Sequence, residues 1–299
     1  MALDDNTQVM LSSGSGYSAP VQWSGERFFG TRATLLGDIT GDGRADLVAV
    51  NDNDTWVMLS TGSGFSVPVR WSGEAFYGQR ATLLGDITGD GRADLVAVNV
   101  YDTWVMLSTG SEFSAPAQWD SVVYFGSMAT LLGDTTGDGR ADLVAVHDND
   151  TGVMLSTGSG FSAPIDAPQW SGETFYGTKA NLLGDITGDG RADLVAVNDD
   201  ATWVMLSSGT GFSAPAQWSS QPFFGSRATL IGDITGDGRA DLVAVNDWDT
   251  WVMLSTGTGF SAPVRWSGTR FFGSWATLLG DITGDGKADL VAVNVNVEL

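Results

Sequence analysis

Gly37-Asp38-Ile39-Thr40-Gly41-Asp42-Gly43-Arg44-Ala45-Asp46-Leu47 is the stretch on which the reading of this chain turns, and copies of it start at Gly85, Gly133, Gly184, Gly232 and Gly280. Counting from Asp38, side-chain oxygens fall at positions 1, 3, 5 and 9, as Asp38, Thr40, Asp42 and Asp46, with Gly43 at position 6. Alternate oxygens around a sharp glycine turn suit a hard cation, because the chain must curl to point every second residue inward. The equivalent residues are Asp86, Thr88, Asp90 and Asp94, then Asp134, Thr136, Asp138 and Asp142, in the next two copies. Asp185, Thr187, Asp189 and Asp193, then Asp233, Thr235, Asp237 and Asp241, and finally Asp281, Thr283, Asp285 and Asp289 complete the set. Position 7 is expected to offer its backbone carbonyl, from Arg44, Arg92, Arg140, Arg191, Arg239 and Lys287. Position 2, which holds Ile39 or Thr135, is expected to point away from the metal. Aspartate and glycine also build turns for backbone reasons alone. Six loops with three carboxylates apiece nevertheless favour a cation, since like charges this close repel each other.

The loop is not an EF-hand, because position 12 is Ala49 rather than glutamate and no helical pattern flanks it. Ala33-Thr34-Leu35-Leu36 precedes it and Leu47-Val48-Ala49-Val50 follows, both short apolar runs of strand type. Two more strand-like segments complete a repeat, Thr55–Ser60 and Phe65–Trp71, and Pro68 places the last at an outer edge. The loop aspartates recur at steps of 48 residues, with one step of 51 where Ile165-Asp166-Ala167 is inserted. Four short antiparallel strands at a fixed period of this size make an all-β β-propeller. The chain begins in the third strand of a repeat and ends after the second strand of another, so six whole repeats result only if the ends pair. We therefore expect one six-bladed domain over 1–299, with blades 33–80, 81–128, 129–179, 180–227, 228–275, and 276–299 joined to 1–32.

The charge balance fits a cation-loaded ring. Thirty-six acidic and 14 basic residues give a net −22, and half of the acids lie in the loops. Six divalent cations would bring −22 to −10. Nucleic acid is a poor partner for so acidic a surface. No cysteine is present, no apolar run is long enough to span a bilayer, and Met1–Asp5 carries no signal-peptide pattern.

The Phe-Phe-Gly of residues 28–30 or Phe-Tyr-Gly of 76–78, followed by Leu-Leu-Gly-Asp-Ile-Thr-Gly-Asp-Gly-Arg-Ala-Asp-Leu, resembles the FG-GAP/VCBS repeat family. That resemblance implies a propeller with calcium in each loop, up to six ions, as in integrin α-subunit propellers. Within the family the chain is similar to fungal propeller lectins, which have seven blades and hold N-acetylglucosamine between repeats. It implies a secreted or extracellular glycan-binding protein, or alternatively an adhesion propeller or the scaffold domain of a secreted enzyme.

Two tryptophan series recur. Trp23, Trp71, Trp119, Trp170, Trp218 and Trp266 stand in every copy and read as structural anchors. Trp56, Trp104, Trp203 and Trp251 are replaced by Gln8 and Gly152 in the other copies. A core tryptophan exchanged for glycine would cost about 3–5 kcal/mol, so this series is expected to be partly exposed and available to stack a sugar ring. Asn51, Asn99, Asn198 and Asn246, with Arg32, Arg80 and Arg227, are expected to converge near it and bind sugar hydroxyls. Asn294 and Lys179 extend the same two series. The third copy has Gly152, Met128 and His147 instead and is expected to bind weakest. The sole histidine reads as a turn variant of the asparagine. Glutamates 26, 74, 112, 173 and 298 do not recur in every copy, so glycosidase chemistry and catalysis generally are not expected.

Overall fold

The computed structural model describes residues 5–163 and 170–296. It is all-β, with sheets arranged as six blades around a ring. Blade one shows the pattern. Ala33–Gly37 pairs with Asp46–Val50, which pairs with Thr55–Met58, which pairs with the outer strand Val69–Ser72. The aspartate-rich loop is the connection between the first two strands, and Gly37 lies opposite Asp46 at its neck. The outer strand is shorter than its sequence pattern, because Phe65 makes only an isolated bridge with Ser60 before the chain resumes pairing at Val69.

Inner strands contact their neighbours all the way round, so the ring is closed. Their Leu35–Leu36 pairs and equivalents line an axial channel of about 340 Å³, in which Asn181 takes the place of a threonine. The second strands, Asp46–Val50 and its copies, are buried at every residue. Both faces of a blade are covered by neighbouring blades, which is why these strands read as continuous apolar runs rather than alternating ones.

Closure joins the two ends of the chain. Asn6–Met10 pairs antiparallel with Asp289–Asn294 from Asn6 opposite Asn294 to Met10 opposite Leu290. Val21–Ser24 then forms the outer strand of the same sheet. In blade three the described residues form three strands; the insertion at Ile165-Asp166-Ala167 lies outside them.

Adjacent blades are stitched at repeating points. The Ala93 N–H donates to the Asp38 carbonyl at 2.7 Å, and the Ser108 hydroxyl donates to the Ile39 carbonyl at 2.5 Å. Trp71 meets Phe113 edge to face at 5.3 Å between ring centroids, the same pair recurs at Trp23–Phe65, Trp119–Phe161, Trp170–Phe212 and Trp218–Phe260, and Trp266 meets Tyr17 in the same way. This tryptophan series is the structural anchor the sequence suggested.

Candidate functional site

The six loops lie on one face of the ring beside the Ser60–Gly64 type turns, since Arg44 Nε donates to the Ser60 carbonyl at 3.1 Å. Within a loop the three carboxylates have separate occupations. Asp38 Oδ1 accepts the N–H groups of Thr40, Gly41 and Asp42, and Oδ2 accepts that of Gly43 at 2.7 Å. Gly41 and Gly43 take φ of 79° and 83°, which this wrapped backbone needs and side chains with a Cβ rarely adopt. Asp42 is ion-paired with the Arg44 guanidinium. Asp46 is fully buried; its Oδ1 accepts the Ser60 N–H at 2.7 Å, while Oδ2 has no hydrogen-bond partner. The other loops repeat the wrapped first aspartate and the ion pair, with Lys287 replacing arginine on Asp285 at 2.7 Å, while Oδ2 of Asp142, Asp193 and Asp241 accepts the N–H of the residue at position 2. Among the described residues no three histidine, cysteine or acidic side chains gather as a metal-holding group.

Burial pushes the Asp46, Asp94, Asp193, Asp241 and Asp289 carboxyls up to about 7, partly relieved by the serine N–H each accepts. Negative charge from the other loop aspartates adds to the rise. Asp142 is raised only to about 6, because burial there is opposed by the Thr135 hydroxyl, which donates to its Oδ2 at 2.6 Å. In the third loop the Thr135 side chain at position 2 reaches the position-9 aspartate, whereas Ile39 packs into the hydrophobic core. Ile39 and Thr135 are fully buried beside the position-9 aspartate, and a polar residue there supplies it with a hydrogen bond.

On the opposite face a pocket recurs. In blade one it holds about 310 Å³ and is lined by Arg27, Phe28, Phe29, Ala49, Asn51, Trp56 and Pro68. Blade four repeats it at about 290 Å³ with Phe175, Tyr176, Asn198, Trp203 and Pro215. Blade five repeats it at about 180 Å³ with Phe223, Phe224, Asn246, Trp251 and Pro263. The aromatic pair arrives on the connection from the preceding blade, so each pocket sits at a blade junction. Trp56, Trp104 and Trp251 are half-buried, and Trp203 is 36% exposed.

The sequence-expected polar groups divide. Asn51, Asn198 and Asn246 share their pockets with tryptophan, but in each asparagine, Asn99 included, Oδ1 accepts a backbone N–H across the turn: Thr31 to Asn51, Gln79 to Asn99, Thr178 to Asn198 and Ser226 to Asn246, all at 3.0 Å. Asn51, Asn99 and Asn246 also spend Nδ2 on Asp54, Asp102 and Asp249. In blade four that acidic position is Ala201, which leaves the Asn198 amide free to donate to a ligand. His147 does the asparagine's work in blade three, its Nδ1 accepting the Ser127 N–H at 3.3 Å.

The arginines do not converge with the tryptophan of their own repeat. Arg32 is ion-paired with Asp52 and stacks 4.2 Å from the Tyr77 centroid, over the aromatic pair that serves the next blade. Arg80 stacks on Phe125, and Arg227 stacks on Phe272 while paired with Asp247. A guanidinium on a turn is drawn to the nearest exposed ring and carboxylate, and here both lie on the downstream side. Sequence reading missed the aromatic pair and Pro68 as pocket walls, although the pair's recurrence just before each Gly30-type glycine was the available signal.

Blade three is remodelled. A Cβ at Gly152 would lie 3.2 Å from the Tyr124 hydroxyl, because Tyr124 replaces the phenylalanine of Phe28 type and fills the space left by the missing tryptophan. The exchange to glycine is thus absorbed by a neighbouring exchange to tyrosine.

The FG-GAP-like repeat family matches residues 38–97, 86–145, 134–196, 185–244 and 233–292. Among solved structures, the chain is similar to a lectin of Agrocybe aegerita described as specifically recognising non-reducing terminal N-acetylglucosamine. The TM-score is 0.64 at 22% identity, covering 96% of this chain and 84% of that one. It is also similar to the Tc holotoxin pore of Photorhabdus luminescens, with TM-score 0.61 at 19% identity, covering 95% of this chain but 15% of that one. At these identities the likeness is one of fold. No curated protein sequence matches the chain.

Proposed function

The chain belongs to the FG-GAP-like repeat family, and from that premise we propose that it is a calcium-stabilised, multivalent, carbohydrate-binding propeller acting outside the cell. The observation that carries the reading is the repeated junction pocket, in which an indole, an aromatic pair and an asparagine recur in blades one, four and five. Small-molecule sites are concave and mostly apolar with a few fixed polar groups, and these pockets have that make-up. Near-equivalent sites on one face suit a glycan-covered surface, where linked binding raises avidity by about 10²–10⁴ over a single weak site. The Agrocybe aegerita lectin, which shares the fold, supports a sugar of N-acetylglucosamine type. The role is binding rather than catalysis: the carboxyls raised to about 7 lie buried under the loops, on the face away from the pockets.

Trp203 is the platform most open to a ligand, with the unspent Asn198 amide beside it. Trp203→Ala is expected to weaken binding of a neutral pyranoside at this pocket by about tenfold while leaving the melting temperature within a degree or two. Site-resolved NMR titration would read the loss. Unaltered binding by the variant would remove this pocket from the site.

The loop residues fit calcium in donor chemistry. The unpartnered, buried Oδ2 of Asp46, Asp94 and Asp289 are hard oxygen acceptors that no protein group satisfies. Asp38, Asp42, Asp46 and the Arg44 carbonyl would hold the ion, after the Arg44 side chain releases Asp42. Calcium would supply the positive charge that these carboxylates lack. Without it, a carboxyl raised from 3.8 to about 7 favours the folded state fully below about pH 4, and that advantage is lost as pH rises through about 7. In EDTA the melting temperature is therefore expected to fall between pH 5 and 8 by an amount on the order of 10 °C. Millimolar calcium is expected to restore it. A melt indifferent to both EDTA and pH would reject the calcium assignment.

A second reading, an adhesion propeller binding a protein partner, is favoured by the exposed turn-tip aromatics Tyr101 and Trp248, 74% and 71% exposed. The likeness to one module of a larger toxin is in keeping with it. Binding to a glycan-free protein surface, lost in a Tyr101→Ser, Trp248→Asn variant, would favour that reading.

A further inference from the structure

Ten of the 14 cationic side chains are ion-paired with a carboxylate, as expected in a chain of net charge −22. Among the described residues, Arg27, Arg70, Arg80 and Arg270 have no such partner. Arg80 lies over the Phe125 ring, and Arg270 lies over Trp248 and Phe272. The other two belong to one place. Arg27 lines the blade-one pocket, its guanidinium carbon 5.3 Å from the Phe29 centroid. Arg70 stands directly across the strand pair from Trp56, the stacking platform of that pocket. Directly opposed residues share a sheet face, with Cβ atoms about 4.5–5.5 Å apart.

No other junction combines these features. Where Arg27 stands, the other copies have Ala75, Val123, Thr174, Pro222 and Arg270. Across from the tryptophan, blades two and four have Gln118 and Gln217, and in blade five Arg265 lies 3.8 Å from Asp249. Blade six has Arg270 but offers Gln8 instead of a tryptophan. Apart from the Arg27 contact with the Phe29 ring, this guanidinium pair is uncompensated in a very acidic chain, since neither side chain donates to any protein group among the described residues.

We infer that the blade-one pocket takes an anionic pyranose, a sugar ring bearing a carboxylate or sulfate, where the other pockets take a neutral one. The inference rests on the carbohydrate-binding reading and adds a class of ligand to it. Trp56 stacks the ring face, and Arg27 with Arg70 meets the anion. Guanidinium matches the planar geometry of a carboxylate or sulfate with paired N–H donors, and hydrogen bonds between charged partners are about twice as strong as neutral ones.

Isothermal titration in calcium at low ionic strength, with methyl glucuronide, methyl glucoside and glucose 6-sulfate as probes, tests this. At least one anionic probe is expected to bind about tenfold tighter than the glucoside, at one site per chain, with the advantage shrinking as salt is added. The double variant Arg27→Ala, Arg70→Gln places in blade one residues that blade two already carries, so it is expected to fold and melt normally while losing the advantage. No gain for either anion over a glucoside that binds, or a gain that survives in the folded double variant, overturns the inference alone. Failure of all three sugars to bind the folded protein overturns the carbohydrate-binding reading together with it.

Discussion

Gly30→Ala is expected to cost about 3 kcal/mol or more and to lower the melting temperature by on the order of 10 °C. A Cβ there would lie 1.8 Å from the Ala33 carbonyl oxygen, 2.5 Å from the Val50 nitrogen and 2.6 Å from the Val50 oxygen. All three are backbone atoms at the ends of paired strands, so no side chain can turn aside to make room. The chain is drawn this close because the Gly30 N–H donates to the Thr34 hydroxyl at 3.0 Å and the next turn is held to Asn51. The same geometry recurs at Gly78, Gly126, Gly177, Gly225 and Gly273, which is the physical reason each aromatic pair ends in glycine. Thermal denaturation of Gly30→Ala beside Gly43→Ala separates two glycine roles. Gly43 has open space around its Cβ position and only its φ of 83° to lose, so the smaller effect is expected there.

Removing residues 1–12 is expected to abolish the cooperative melt altogether. The deletion takes Asn6–Met10 out of the middle of the sixth sheet, leaving Val21–Ser24 without a partner and Asp289–Asn294 with a bare edge. Val9 and Met10 are fully buried, and burial of each side chain stabilises by roughly 1.5–3 kcal/mol. The lost ladder bonds and the opened ring add to this, against a total stability of about 5–15 kcal/mol for a typical domain. Circular permutation provides the contrast. The Asn296 N–H donates to Asp5 at 2.7 Å, so a short linker can join these ends while new termini are opened between Arg32 and Ala33. That permutant is expected to fold, because each sheet then comes from one continuous stretch. Circular dichroism melts of both variants check the pair, and a truncated protein that still melted cooperatively would contradict closure by strand pairing.

The architecture was legible in the sequence because each repeat declares itself several times over. Period, loop aspartates and alternating strand and turn residues all agree, and the out-of-phase ends point to a closed ring. The junction pocket was half legible. Trp56 could be placed near the surface because Gly152 stands in its series, and a core would not tolerate that exchange uncompensated. The compensation itself, Tyr124, was not legible, since it is ordinary in sequence and meaningful only beside Gly152 in the fold. The direction of Arg32 was not legible either. A turn residue's side chain reaches its own repeat or the next with equal ease, and Tyr77 and Asp52 decide the matter. The hydrogen bond from Thr135 was not legible for a related reason. Thr135 looks like a tolerated variant until its hydroxyl is found on Asp142.

The central claim is that the junction pockets bind glycans. A glycan array probed with the folded protein in calcium, and again in EDTA, tests it most directly. The expected result is binding to a defined set of pyranose-terminated glycans in calcium, including terminal N-acetylglucosamine, and weaker binding in EDTA, which would remove the calcium proposed for the loops. Absence of binding to every glycan in calcium, by protein shown to be folded, would contradict the claim and leave the protein-binding propeller in its place.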